Sequence, residues 1–450
     1  MQRENFTSKF GVIMAMAGSA VGLGNIWRFP YIVGEYGGAA FVLVYIVATI
    51  FLSLPVFLSE TIIGRRSRSN TFGAMEKLAP GTPWKWLGLA TVISTMILLS
   101  YYSVVGGWSV EYLFKSLAFD FTGVPSEEMT GVFGTFISST WEPVVMHTIF
   151  LLMCAGIILG GVKKGIERFS KITMPILFIL IVVIMVYAIS LPGSGEGVRY
   201  LMKPDWSKLS AEAVAAAIGQ SFYSLSLGVG TILTYGSYVR REENLLASSA
   251  GTATSDLLFA LLAGFAIMPA VFAAGIAPGS GPGLVFETLP FIFNKMGGEV
   301  PLLGAIIAIL FFLTILVAAL TSAISLLEVG VAYLCEEKKL SRPVATGVLF
   351  VFVWGIGILC SLSFGSLSEL KILGCTIFEF FDKLCSNYLM VLGGLLFTIF
   401  VGWKMSREDV RDELTSGGRY ANRIFPALWF LIRYIAPLAV LTIFITNLVL

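Results

Sequence analysis

Two glycine-bearing stretches carry the chemistry of this chain. The first runs Gly18-Ser19-Ala20-Val21-Gly22-Leu23-Gly24-Asn25 and on through Arg28 and Pro30; the second runs Ser224-Leu225-Ser226-Leu227-Gly228-Val229-Gly230, at the matching place in the other half. Each interrupts an apolar run, and each glycine weakens a helix by roughly 1 kcal/mol relative to alanine. Backbone freed at membrane depth is tolerated only where it is buried in protein or lines a cavity, so both helices are predicted to break midway and face a site. A break strands carbonyl oxygens and amide N–H groups without their helical partners. The carbonyls suit a hard cation, and the positive end of a half-helix suits a carboxylate. Side-chain charge is expensive in an apolar interior, which explains a site written in glycine, serine and asparagine.

The elements that must position these breaks are membrane spans. The chain has 450 residues, 56% hydrophobic and 13% charged, with a mean hydropathy of +0.86, beyond what a soluble core accounts for. Apolar runs near the length that crosses a bilayer are expected at about 10–36, 38–63, 87–117, 143–161, 168–191, 211–238, 248–275, 300–334, 343–363, 374–402 and 424–449. Lys and Arg gather in alternate loops, at Arg65, Arg66, Arg68, Lys77 and Lys85; at Lys163, Lys164, Arg168 and Lys171; at Arg240 and Arg241; at Lys338, Lys339 and Arg342; and from Lys404 to Arg423. The positive-inside rule assigns that side, with the N-terminus, to the cytoplasm of a multi-pass cell (inner) membrane protein, and the C-terminus to the outside.

Spans one to five and six to ten each open on a broken helix, and an odd repeat length inverts the second copy. The expected fold is therefore all-α, with eleven transmembrane helices in a 5+5 inverted repeat and helices 1 and 6 unwound, the sequence pointer to a secondary transporter's substrate site. The organisation reads as an N-terminal segment 1–9, a first repeat 10–191, an outer loop 192–210, a second repeat 211–403, an inner loop 404–423 and a last helix 424–450. Net charge is only +2, which argues against nucleic acid as a partner and leaves the lipid bilayer and a small-molecule substrate. One histidine, His147, and five cysteines without Cys-x-x-Cys spacing argue against a transition-metal site, a disulfide or enzyme chemistry. Oligomeric state is not readable.

Gly18 to Tyr31, with Gln220 to Gly230 and Ala318-Ala319-Leu320-Thr321-Ser322, closely resembles the neurotransmitter:sodium symporter family. The resemblance covers nearly the whole chain and implies Na⁺-coupled import of an amino acid by alternating access, with a proton- or sodium-coupled amino-acid permease of a related inverted-repeat family as the alternative. It implies two sodium sites. One would use Ala20, Asn25, Ser224 and a ligand on the seventh span; the other would use the carbonyls of Gly18, Val21 and Ala318 with the hydroxyls of Thr321 and Ser322. Family members commonly place Asn on the seventh span beside a chloride or a nearby carboxylate, whereas this chain has Asp256, with Ser255 the alternative one residue away. Asp256 is expected to ligate Na⁺ and remove any chloride requirement.

The resemblance also implies a substrate pocket of Ser19, Ala20, Gly22, Gly24, Leu98, Tyr102, Tyr223, Ser224, Ser226, Val229, Ser322 and Leu326. Gly22 stands where monoamine carriers of the family place Asp, so the substrate should bring its own carboxylate, received by the Tyr102 hydroxyl. Val229 and Ser19 replace larger residues of a leucine-transporting relative, so a roomy pocket for a hydrophobic or aromatic L-amino acid is expected. Arg28 and Asp382 match the family's outer ion-pair gate, with Glu379 as the other candidate partner. Arg3, Glu336 and Tyr238 match the inner latch, with Phe6 where Trp is usual. Glu60 should support the unwound backbone, and Glu111 and Glu328 have no assigned role.

Overall fold

The structure is a computed structural model that describes residues 4–121, 131–275, 285–287, 289–290, 292–293 and 301–449. Among the described residues nine helices are long and apolar enough to span a bilayer, and the pair α1 (Lys9–Ala20) and α2 (Gly24–Glu35) forms a further span bent by 52°. The unbroken spans are α3 (Ala39–Ser67), α4 (Trp84–Leu117), α5 (Glu142–Leu159), α6 (Val162–Ser190), α9 (Leu245–Ala273), α10 (Leu302–Glu337), α11 (Arg342–Leu362), α12 (Ile377–Lys404) and α14 (Phe425–Leu448). Over the expected sixth span lie two shorter helices, α7 (Ala211–Ser224) and α8 (Thr231–Gly236), which are not among those spans. Neither half crosses a bilayer alone, because six residues between them leave the helix. A short helix, α13 (Arg407–Thr415), joins α12 to α14.

Local chemistry sets the ends of the broken helices. Ser8 caps α1 by accepting from the Gly11 amide at 3.1 Å, and the helix stops where Val21 turns extended. Gly24 to Arg28 then forms a single π-helical turn before Pro30 restarts the α-helix, a widening common at functional sites. Ser210 caps α7. Beyond Ser224 the chain takes positive φ at Ser226 (52°), Gly228 (81°) and Gly230 (74°), a conformation that glycine adopts without strain and that cannot continue a right-handed helix.

The two broken pairs lie inside a shell of the other spans. α1 packs against α6, α9 and α10, and α8 lies between α3 and α10. Small residues permit the close approach: a Cβ on Gly236 would stand 3.0 Å from the Thr61 backbone. The shell's outer faces carry exposed Ile179, Val186, Val351 and Leu438. In water these would be sticky patches; against acyl chains they are solvated.

Candidate functional site

The breaks strand backbone groups, and several of them find side-chain partners at the site. Gly22 N donates to Asn25 Oδ1 at 3.0 Å, and Gln220 Nε2 donates to the Gly24 carbonyl at 2.8 Å. Ser226 Oγ donates to the Ser19 carbonyl at 3.0 Å, and Thr95 Oγ1 to the Val229 carbonyl at 2.5 Å. Glu60, fully buried in α3, accepts from Gly228 N at 2.6 Å. The expected supporting contact of Glu60 is thus present, and this carboxylate holds the unwound turn of the second break.

Two oxygen-rich clusters flank the break in α1. In the first, Asp256 is fully buried in α9, where Asn25 Nδ2 donates to its Oδ1 at 2.8 Å and Ser224 Oγ to its Oδ2 at 2.7 Å. Tyr45 donates to Ser224 Oγ at 3.2 Å. No basic side chain among the described residues pairs with this carboxylate. Asn244 caps α9, so Asp256 is not a capping residue. Ser255 turns back to its own helix, donating to the Gly251 carbonyl at 2.8 Å, which leaves Asp256 as the side chain that faces Asn25 and Ser224.

In the second cluster the hydroxyls of α10 meet the carbonyls of α1. Thr321 Oγ1 lies 3.4 Å from the Val21 carbonyl and donates to the Ala318 carbonyl at 2.9 Å. Ser322 Oγ lies 3.2 Å from the Val21 carbonyl and 3.4 Å from that of Gly18. All five groups named for a second cation are together. Oxygen donors of this kind suit a hard monovalent cation, and no cluster of His, Cys, Asp and Glu fit for a transition metal occurs among the described residues.

Between the clusters lies a narrow cavity of about 30 Å³. Ten of the twelve expected pocket residues line it: Ala20, Gly22 and Gly24 from the first break, Leu98 and Tyr102 from α4, Tyr223, Ser226 and Val229 from the second, and Ser322 and Leu326 from α10. The Tyr102 hydroxyl accepts from Leu23 N at 3.4 Å. Ser19 and Ser224 do not line it: Ser19 Oγ donates to Ser325 at 2.8 Å, and Ser224 belongs to the Asp256 cluster. Leu23 and Met390 line the cavity without having been expected. A methionine within an apolar helix carries no sequence signal of contact. The cavity is narrow where a roomy one was expected.

The comparisons with known proteins agree with this architecture. The profile of the sodium:neurotransmitter symporter family matches residues 3–127 and 133–450. The chain belongs to that family. A sodium-dependent transporter of Bacillus subtilis is 37% identical, over 98% of this chain and 96% of its own length. The sodium-dependent serotonin transporter of Drosophila melanogaster is 28% identical, over 99% of this chain and 76% of its own. The crystal structure of MhsT in complex with L-phenylalanine is similar with a TM-score of 0.91 and 42% identity, covering 99% of this chain and 100% of that one. As a member of this family the chain is a sodium-dependent multi-pass membrane transporter and not an enzyme, and the permease alternative falls away.

Above the cavity Arg28 and Asp382 do not form the expected ion pair. The Arg28 guanidinium stacks on the Tyr223 ring, 4.5 Å from its centroid, and Asp382 accepts from Ser386 at 3.0 Å, with no direct ion pair between Arg28 and Asp382. The contact of Arg28 with a ring that lines the cavity is thus a cation–π one. Glu379 is not its partner either, because it closes a capping box with Thr376 at the start of α12.

At the basic end Arg3, expected in an inner latch, lies outside the described residues. Glu336 accepts from Asn70 N at 2.9 Å. Tyr238 donates to Glu328 at 2.7 Å, and Arg342 binds the same carboxylate through both terminal nitrogens. Phe6 plugs this end, edge-on to Tyr235 at 5.8 Å and Tyr238 at 5.9 Å. Glu328 thereby gains a role that the sequence left open, while Glu111 pairs with Lys115 one turn away at 3.2 Å.

Proposed function

We propose that this transporter imports a hydrophobic or aromatic L-amino acid with two sodium ions by alternating access, without requiring chloride. The observation that carries the reading is Asp256, a fully buried carboxylate beside a broken helix with no cationic side chain against it. A charge in that place calls for a cation, and apart from the Asn25 amide nitrogen the groups against it are hydroxyl oxygens. With Na⁺ bound, Asp256, Ser224, the Ala20 carbonyl and Asn25 would face the ion. Asn25 would turn its amide over, presenting Oδ1 to the cation and releasing Gly22 N to the substrate carboxylate. The fixed charge of Asp256 would balance the ion, so no mobile anion is needed.

The second ion would lie among Gly18, Val21, Ala318, Thr321 and Ser322, tying α1 to α10. A zwitterion would sit between, with its carboxylate at Tyr102 and the Gly22–Gly24 backbone and its side chain towards Leu98, Val229, Leu326 and Met390. The phenylalanine bound by MhsT supports an aromatic side chain, for which the cavity of about 30 Å³ would have to widen. Arg28 over Tyr223 would close the outer path, and Phe6 with the Tyr238–Glu328–Arg342 network the inner one. The basic loops and the N-terminus would be cytoplasmic and the C-terminus external.

Two net charges entering down a potential of about 100 mV release about 4.6 kcal/mol. That concentrates substrate roughly 2,000-fold before the sodium gradient adds to it. The test is uptake of radiolabelled amino acids into proteoliposomes. Accumulation of phenylalanine, leucine, tyrosine or tryptophan that needs a Na⁺ gradient and survives replacement of chloride by gluconate is expected. Uptake that persists with choline in place of Na⁺, or that stops without chloride, would overturn the proposal.

A further inference from the structure

The short helix α13 is charged on two faces that are treated differently. On one, Glu413 pairs with Arg65 at 2.7 Å, Asp409 and Asp412 pair with Arg66, and Asp412 also pairs with Arg241 at 2.6 Å. That face clamps α13 to the basic end of α3 and to the loop after α8. On the other, Arg407 and Arg411 stack on Phe425, 5.8 Å and 5.9 Å from its centroid, and both are exposed.

The stack continues into the membrane. Phe425 and Trp429 stack with centroids 6.2 Å apart and planes inclined by 23°, and the Arg433 guanidinium packs on Trp429 at 5.7 Å, Trp403 at 4.7 Å and Tyr434 at 5.6 Å. None of these three arginines forms an ion pair among the described residues. Arg433 is set about 12 Å along α14 from Phe425 at 1.5 Å per residue, and its Nε is buried without a hydrogen-bond partner. Trp403, Phe430 and Tyr434 beside it are exposed to what surrounds the bundle, which for a transporter of this family is lipid. An uncompensated Arg at that depth is costly unless it reaches an anion at the interface, and aromatic rings mark the headgroup level.

We propose that this cation–aromatic ladder between α12, α13 and α14 is a binding site for the phosphate headgroup of an anionic phospholipid from the leaflet on the basic side. Arg407 and Arg411 supply charge at the surface, and Arg433 with Trp403 receives the phosphate and glycerol region. Because the opposite face of α13 is clamped to α3 and to the loop after α8, a bound headgroup would also steady the basic end of the unwound span.

The test is native mass spectrometry of the full chain titrated with dioleoyl phosphatidylglycerol or dioleoyl phosphatidylcholine. The parent should retain phosphatidylglycerol preferentially, and each of Arg407→Gln, Arg411→Gln and Arg433→Gln should lower that preference about fivefold. Arg433→Lys, which keeps charge but loses the planar stack, guards against misfolding and should fall between. Arg419→Gln with Arg423→Gln, off the ladder, should change nothing, and excess inorganic phosphate should not displace the lipid. Equal loss in that off-ladder pair, no loss in the ladder variants, equal loss of phosphatidylcholine, or displacement by free phosphate would each overturn the assignment.

Discussion

Replacing Asp256 by Asn tests the central argument with the least disturbance. The amide preserves the shape and one oxygen, and Ser224 can accept where it now donates, so the hydrogen bonds of Asn25 and Ser224 can be rearranged rather than lost. What disappears is the charge. A carboxylate about 4 Å from a cation contributes about 4 kcal/mol at an effective dielectric constant of about 20, and the amide dipole retains part of that. A loss of about 2–4 kcal/mol raises the half-saturating Na⁺ concentration roughly 30- to 1,000-fold. The assay is a Na⁺ titration of radiolabelled phenylalanine binding to purified protein, with the thermal midpoint recorded to show that folding is intact. In Asp256→Ser, which leaves space for an anion, chloride should restore part of the lost binding. An unchanged Na⁺ dependence in a folded Asp256→Asn protein would refute the reasoning.

Four other perturbations follow from the geometry. Thr321→Ala combined with Ser322→Ala removes both hydroxyls from the Gly18 and Val21 carbonyls; the Na⁺ dependence of binding should become less steep, with a Hill coefficient falling towards one. Gly22→Ala places a Cβ 2.4 Å from Ser322 Oγ and 2.9 Å from the Tyr102 hydroxyl, so both side chains must shift and equilibrium binding should be lost, with the thermal midpoint recorded to show that the protein is folded. Met390→Ala vacates one wall of the narrow cavity; competition binding should shift towards bulkier side chains, at a stability cost of about 2–5 kcal/mol. Glu328→Gln weakens the hold on Arg342 and Tyr238, and labelling of a cysteine introduced at Phe6 should accelerate as the basic end opens.

Several features of the site were legible because they depend on local chemistry. Glycines at 18, 22 and 24 and at 228 and 230 weaken a helix wherever they stand, so both interruptions could be placed from the sequence. The second hydroxyl cluster was legible through the resemblance, as neighbouring Thr321 and Ser322 fall on the α10 surface that meets the first break. Arg28 and Asp382 illustrate the opposite case. Their types and spans suggested a pair, but the Tyr223 ring lies under the guanidinium and Ser386 lies beside the carboxylate, and neither contact is written in the spacing along the chain.

By itself the sequence determined that the chain is a bundle of apolar helices, two of which break, and that the site there would be built mostly from backbone and neutral side chains, with few charges. Those outcomes follow from backbone propensity and from the cost of charge in lipid, which act over a few residues. Tertiary structure decided between Asp256 and Ser255, because one residue along a helix turns a side chain by about 100° and only packing fixes which phase faces Asn25. It also brought Met390 and Leu23 to the cavity, joined Glu328 to Arg342, and left one face of α13 without counter-charges. These depend on how helices distant in the chain lie against one another, a relation that no short stretch of residues encodes.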